Sequence, residues 1–190
     1  MEETDSTEIQ TGIRAWLEQV VIGLNLCPFA RPVVNDGRLR IRISQATTEE
    51  AALTDLQEEL IRLAGSKATE SETTLLALPA VLTSFPEFNQ FLDLVDLLLE
   101  QFDWSEDFQI ASFHPAYQFA GTEPNAPGNL TNRAPVPLLH ILRQQSVTAA
   151  LDSIADPASI PARNIETMES LGESRLQQLF PWLYRQDPGT

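Results

Sequence analysis

The strongest constraint on the fold is an alternation of strand-like and helix-like segments between residues 38 and 113. Alternating apolar residues at 39–43 and the apolar runs "TTLLALPA" and "DFQIASFHP" predict three strands. The segments between them repeat apolar residues at helical spacing, and each begins with a capping-box pattern, Thr47 with Glu50 and Ser84 with Glu87. Strand–helix–strand connections favour parallel pairing. We therefore predict an α/β fold in which helices pack on a small, mostly parallel sheet.

The N-terminal part predicts a helix followed by a hairpin. Apolar residues between 13 and 24 recur at helical spacing, and Pro28 should end that helix. The stretch "PVVNDGRLRIRIS" then predicts a β-hairpin, because Asp-Gly is a favoured two-residue turn. Its second strand places Arg38, Arg40 and Arg42 on one face, which we expect to be in water. A wet face favours an α+β-like two-layer sandwich, or at least an edge position for this strand, over a fully covered sheet.

The C-terminal part begins with a long irregular stretch over residues 114–137, and such loops are often functional. A helix is predicted from Val136 to Leu151, with Pro137 in its first turn. A polar segment over 152–162 and two short helices follow. We predict one α/β domain over residues 1–190, with 152–190 as a C-terminal helical extension.

Composition restricts the partners. The net charge of −15 argues against nucleic acid and against anionic membrane surfaces. No apolar run approaches the length of a membrane span, and the acidic start "MEETDSTEIQ" is unlike a signal peptide. A single cysteine excludes an internal disulfide, which favours the cytoplasm. The oligomeric state does not follow from the sequence.

Three residues form a candidate catalytic group. Parallel sheets bind ligands at the carboxyl ends of their strands, where His114 follows the third strand. The predicted hairpin carries Cys27 to the same edge, and His140 lies in the first turn of the predicted helix. We therefore predict Cys27 as nucleophile or acid–base thiol, His114 as its base, and His140 as a neutral hydrogen-bonding group.

Arginines around this edge predict an anion pocket. The hairpin register places Arg31 opposite Arg42, a like-charge pair that an acidic side chain or a bound anion would neutralise. Arg133 and Arg143 would hold a carboxylate or phosphate, because the guanidinium group matches their oxygens. Tyr117 and Asn132 from the long loop would fold over the ligand.

The favoured function is a cytoplasmic thiol- and histidine-dependent hydrolase or transferase that performs acyl or phosphoryl chemistry on a small anionic metabolite. One alternative is a metal site formed by Cys27, His114 and His140. Another is a non-catalytic anion-binding or regulatory module. For Cys27 itself, the alternative is an inert side chain packed in the core. No cofactor is predicted, because no glycine-rich phosphate loop follows a strand.

Four stretches carry a resemblance to a known family: "LNLCPFA" at 24–30, "FHPAYQFA" at 113–120, "NLTNRAPVPLLHILR" at 129–143 and "IPARNIETMESLG" at 160–172. In these residues the chain resembles a bacterial family known as domain of unknown function 1415. The resemblance implies no activity, cofactor or site residue. The last stretch adds Arg163 and Asn164 as candidate substrate-binding residues, the alternative being a helix cap and a surface ion pair.

Overall fold

The computed structural model describes residues 3–184, with side chains from Asp5 onward. Its helices are α1 (Glu3–Trp16), which continues as a π-helix (Leu17–Ile22), α2 (Ala30–Asn35), α3 (Glu49–Ala64), α4 (Phe85–Gln101), α5 (Gln144–Asp152), α6 (Ile160–Ser170) and α7 (Glu173–Leu179). Its strands are β1 (Leu39–Ile43), β2 (Thr73–Ala77), β3 (Phe108–Phe113) and β4 (Leu138–Arg143). The described part of the chain also contains three 3-10 segments, Pro127–Asn132, Pro157–Ser159 and Pro181–Leu183.

The four strands form one mixed sheet in the order β1-β2-β4-β3. β1 and β2 are parallel, whereas β4 runs antiparallel to both β2 and β3. The carboxyl ends of β1, β2 and β3 therefore share one edge with the amino end of β4. The predicted α/β class is confirmed, but the prediction of a mostly parallel sheet is wrong, because β4 is inserted between two strands of the opposite direction.

Helices cover both faces of the sheet. On the α3/α4 face, residues of α3 and α4 bury Leu76, Leu139 and Ile141. On the α1/α6 face, residues of α1, the π-helix, α6 and α7 bury Leu75 and Leu138. The structure therefore has three layers, with helices on each side of the sheet, whereas the expected wet face predicted two. β1 is an edge strand, and its arginines Arg40 and Arg42 are partly exposed while they pair with Glu59 and Asp55 of α3.

The predicted hairpin is absent. Residues 30–35 form α2, and the partner of β1 is β2. The Asp-Gly pair is still a turn: Gly37 has φ +69°, and the N–H of Arg38 donates to the Val33 carbonyl at 3.0 Å. The turn follows a short helix instead of a strand, and Pro32 is compatible with that helix because it falls in the first helical turn, where its missing N–H costs nothing. The register that placed Arg31 opposite Arg42 does not exist.

The segment predicted as a helix from Val136 is a strand through Arg143, and α5 begins only at Gln144. β4 lies between two strands with both faces covered, so apolar residues follow one another on both sides of His140. The hydrophobic periodicity of such a run does not distinguish a buried strand from a buried helix.

The C-terminal helices pack on the domain. Met168 of α6, Leu179 of α7 and the adjoining Phe180 are buried in the same cluster as Trp16 and Val20. The single domain with 152–190 as a helical extension stays a prediction, and residues 1–2 and 185–190 lie outside the described part. Within residues 3–184, no helix is both long enough and apolar enough to cross a membrane.

Candidate functional site

The long loop after β3 is held by a fully buried asparagine. The Asn129 side-chain oxygen accepts hydrogen bonds from the Phe119 N–H at 3.0 Å and from the Thr122 hydroxyl at 2.9 Å. Its amide nitrogen donates to the Glu123 carbonyl at 2.8 Å. Because a buried amide costs free energy unless it is bonded, these contacts fix the loop in one conformation.

The predicted ligand-binding residues of this loop are engaged within it. The Asn132 amide donates to the Ser112 carbonyl at 3.1 Å. Arg133 donates from Nε to the Tyr117 carbonyl at 3.3 Å and from Nη2 to the Pro124 carbonyl at 2.7 Å. Burial lowers the pKa of Arg133, an effect that the nearby Tyr184 opposes. These side chains therefore hold the loop through hydrogen bonds to its main chain.

Tyr117 belongs to an aromatic cluster. Its ring centroid lies 5.1 Å from that of Phe85 and 5.0 Å from that of Phe119. These separations are typical of stabilising aromatic pairs. The cluster joins the loop to the start of α4.

His114 lies at the carboxyl end of β3, but on the α3/α4 face. Its ring packs 5.2 Å from Phe88, and its Nε2 lies 3.2 Å from the Leu82 carbonyl. Its Nδ1 accepts from the Ala116 N–H at 3.0 Å, so Nε2 carries the proton. Burial lowers the pKa of His114 and keeps the ring neutral. Both ring nitrogens are engaged with the main chain, which leaves neither free to serve as a base.

His140 is in the middle of β4, paired with Leu75 and Ala111, and thus on the α1/α6 face. Its Nε2 is buried and has no hydrogen-bond partner among the residues that the structure describes. Burial lowers the pKa of His140 to about 4. The two histidines therefore lie on opposite faces of the sheet and do not form one site. His140 therefore does not lie in the first turn of a helix, as the sequence had predicted, but in a strand.

Cys27 lies between the π-helix and α2. Leu26 beside it is buried on the α1/α6 face, away from the face that holds His114. Cys27 is partly exposed, and the main-chain N–H groups of Phe29 and Ala30 lie near its sulfur, while the Ala30 N–H donates to the Cys27 carbonyl oxygen at 3.2 Å. Burial raises the pKa of Cys27, and these two N–H groups oppose that rise without cancelling it. The hairpin on which the predicted pairing of Cys27 with His114 depended is absent, and both ring nitrogens of His114 are engaged with the main chain.

α6 holds the Cys27 segment in place. Asn164 donates from its side-chain amide to the Leu26 carbonyl at 2.8 Å. Arg31 donates to the Ile22 carbonyl at 3.2 Å, at the end of the π-helix. Arg163, next to Asn164, is exposed. In the described part of the chain, neither Arg31 nor Arg163 has a carboxylate within ion-pair distance.

Gly23 explains why the chain reaches Cys27 by this path. A Cβ at Gly23 would lie 2.3 Å from the Gln19 carbonyl oxygen, closer than real Cβ contacts allow. The end of the π-helix therefore requires glycine. Such π-turns occur often at functional sites.

The other two predicted anion-binding arginines have different roles. Arg42 lies 3.8 Å from Asp55 of α3, which already neutralises it. Arg143 lies at the opposite edge of the sheet from His114, where its Nη2 donates to the carbonyls of Leu63 and Ser66 at 2.7 and 2.8 Å. Neither arginine is part of a site with Cys27.

A family model described as "Protein of unknown function (DUF1415)" matches residues 8–178. The chain belongs to this family. No curated protein and no solved structure matches it.

The four stretches that carry the family resemblance meet in this DUF1415 protein. Asn164 joins the last stretch to the first at Leu26. The Asn132 carbonyl accepts from the N–H of His114, which joins the second stretch to the third. A Cβ at Gly128 would lie 3.4 Å from the Ile165 side chain, so α6 packs closely on the 3-10 segment just before the third stretch. The candidate site is thus the Cys27 segment with the start of α6, supported by the ordered loop.

The alternative metal site is not formed. Within the part of this DUF1415 protein that the structure describes, no three side chains of histidine, cysteine, aspartate or glutamate cluster as metal ligands.

The sequence did not predict a role for the main-chain N–H groups of Phe29 and Ala30, because main-chain donors leave no side-chain signal. The only hint was Pro28 after Cys27, since proline is tolerated at the start of a helical turn.

Proposed function

We propose that this DUF1415 protein binds a small anionic metabolite, carrying a carboxylate or a phosphate, at the Cys27 segment. The observation that carries the proposal is the partly exposed Cys27 with the main-chain N–H groups of Phe29 and Ala30 near its sulfur. Main-chain N–H groups in such a turn attract negative charge. The ligand would lie at these N–H groups, beside the thiol.

Two arginines supply the charge for this site. Arg31 follows the N–H groups directly in sequence, and Arg163 adjoins the residue that anchors Leu26. The arginines of β1 and α3, in contrast, are paired with carboxylates, as in the double contact of Glu59 with Arg40 and Arg62. In a protein of net charge −15, guanidinium groups without carboxylate partners are the ones able to hold an anion.

The thiol fits a binding role. Because burial raises its pKa, Cys27 is protonated at neutral pH and can donate a hydrogen bond to the anion. A lone thiol stays reduced in the cytoplasm, which is where we propose that the protein works.

The test is isothermal titration calorimetry with inorganic phosphate and succinate. Arg31→Gln and Arg163→Gln should each weaken binding by about ten-fold or more, because a charge-assisted hydrogen bond contributes about 1.5–3 kcal/mol. Arg175→Gln is the matched control, since Arg175 is also an exposed helical arginine without an ion pair but lies on α7. Absence of binding of both anions, or equal losses in all three variants, would overturn the proposal.

A second candidate is an enzyme that uses Cys27 in acyl or phosphoryl transfer. The main-chain N–H groups of Phe29 and Ala30 favour it, since they oppose the rise in the pKa of Cys27 and so favour the attacking thiolate. Acetyl phosphate is a suitable probe: the thiol attacks the acetyl carbon, a thioester forms, and inorganic phosphate leaves with the thiol proton. Intact-protein mass spectrometry should show one added acetyl group that Cys27→Ser lacks. An unmodified wild-type protein would remove this candidate.

A further inference from the structure

A second concave region lies away from the Cys27 segment. It is a groove of about 450 Å³ between α1, the residues just before β4, and the end of α7 with the 3-10 segment Pro181–Leu183. This volume is within the range of small-ligand sites. Neither Cys27 nor the arginines of the proposed anion site line it. The groove is therefore distinct from the proposed anion site.

Among the described residues, the charges at the groove are of one sign. Asp5 and Glu8 lie three residues apart on α1, and both line the groove. No lysine or arginine of residues 5–184 lines it. Throughout the described residues, no basic side chain comes within ion-pair distance of either carboxylate. The groove therefore favours a cation.

The wall of the groove is aromatic and aliphatic. Trp16, Leu179 and Trp182 line it. Tryptophan offers both apolar surface and a ring face that attracts cations. A ligand complementary to the whole groove therefore has an apolar body as well as a positive charge.

Gly12 leaves room for that body. It lies inside α1 and lines the groove, and a Cβ placed on it would meet nothing within 4 Å. Alanine would favour the helix by about 1 kcal/mol over glycine at such a position. Neither close packing nor backbone strain requires glycine here, and its missing side chain widens the groove.

From the groove, its two unpaired carboxylates and its tryptophan wall, we propose that this surface binds a small organic cation, a primary ammonium carried on an apolar carbon chain. The ammonium lies between Asp5 and Glu8. The carbon chain lies along Gly12, against Trp16 and Trp182.

The test follows the three indole N–H signals of the protein in ¹H–¹⁵N NMR spectra. Trp16 and Trp182 line the groove, whereas Trp104 stacks on Phe102 at 5.0 Å beside α4 and serves as an internal reference. Hexylammonium should shift the signals of Trp16 and Trp182 in a saturable manner and leave that of Trp104 unchanged. Hexanoate and 1-hexanol carry the same chain with negative or no charge, and should bind at least three-fold more weakly.

Two variants test the geometry. The double substitution Asp5→Asn/Glu8→Gln should weaken hexylammonium binding by about three-fold to thirty-fold, the range for two exposed ion pairs. Asp93→Asn/Asp96→Asn is its matched control, because these exposed carboxylates have the same spacing on α4 and the same effect on net charge. Gly12→Leu should abolish the shifts by filling the groove, whereas Gly12→Ala should retain them.

Each contrary outcome overturns the proposal. Equal binding of hexanol and hexylammonium would show an apolar groove without selectivity for charge. Equal losses in the two double variants would show attraction to the net charge only. Unchanged binding in Gly12→Leu would place the cation elsewhere. None of these results bears on the anion site, so the two proposals fail independently.

Discussion

The side-chain amide of Asn164 in α6 donates a hydrogen bond to the carbonyl oxygen of Leu26, next to Cys27, at 2.8 Å. This contact joins the first and the last of the four stretches that carry the family resemblance, across 138 residues of sequence. It is a side-chain contact that fixes the main chain immediately before the thiol.

Asn164→Ala should loosen the Cys27 segment. We expect the free energy of unfolding to fall by about 1–2 kcal/mol, because the Leu26 carbonyl loses its donor. Iodoacetamide should also alkylate Cys27 several-fold faster, and the rate is unambiguous because the protein has one thiol. Asn89→Ala, at an exposed position of α4, is the control and should change neither quantity. An unchanged alkylation rate in Asn164→Ala would show that this bond does not fix the segment.

Gly23→Ala and Gly12→Ala should change stability in opposite directions. The new Cβ at position 23 would meet the Gln19 carbonyl oxygen at 2.3 Å, so the end of the π-helix must shift at a cost of about 1–3 kcal/mol. At position 12 nothing lies within 4 Å, and alanine should stabilise α1 by about 0.5–1 kcal/mol. Urea denaturation of the three proteins measures both effects. Equal stabilities would contradict the close approach at Gly23.

Arg143→Gln should destabilise the domain without affecting anion binding. Its Nη2 donates to the carbonyls of Leu63, Ser66 and Ser71, which closes the C-terminal end of α3. The variant leaves these acceptors without a charged donor, and we expect a loss of about 2–3 kcal/mol. Thermal unfolding measures it, with Arg175→Gln expected to match the wild type. If Arg143→Gln bound phosphate more weakly at unchanged stability, Arg143 would belong to the anion site after all.

His140→Leu should reduce the sensitivity of the fold to acid. Because the pKa of His140 is lowered from 6.5 to about 4, the unfolded chain binds a proton between these pH values that the folded chain does not. The stability given by neutral His140 is complete above pH 6.5 and is lost as the pH falls toward 4. This loss approaches about 3 kcal/mol.

The measurement is urea denaturation of wild type and His140→Leu at pH 7 and pH 4.5. His114 has a lowered pKa in both proteins, so the difference between the two pH dependences isolates His140. The variant should also be no less stable at pH 7, because it removes a buried Nε2 without a partner. Identical losses on acidification would mean that His140 is hydrated in solution.

The regular elements follow from local patterns in the sequence. α3, α4, β2 and β3 form where hydrophobic periodicity and capping residues predicted them. Thr48, one residue after the predicted Thr47, caps α3, its hydroxyl accepting from the Ala51 N–H at 3.2 Å. These signals are readable because each depends on residues within one or two turns.

The site could not be placed in the same way. The approach of Cys27 to His114 was inferred from a hairpin, and the choice between hairpin and helix at Ala30–Asn35 depends on packing against the π-helix, which no local pattern records. β4 was misread for a related reason: its burial on both faces is a property of the whole sheet. The role of Arg143 likewise depends on carbonyls about 70–80 residues earlier in the chain.

The strand order β1-β2-β4-β3 has a consequence for synthesis on the ribosome. The last strand to be translated, β4, takes an interior place between two strands made earlier. Until Arg143 has left the exit tunnel, β2 and β3 have no common neighbour, and each exposes an unpaired edge. The sheet is therefore completed by the insertion of an interior strand and not by the addition of a strand at its edge.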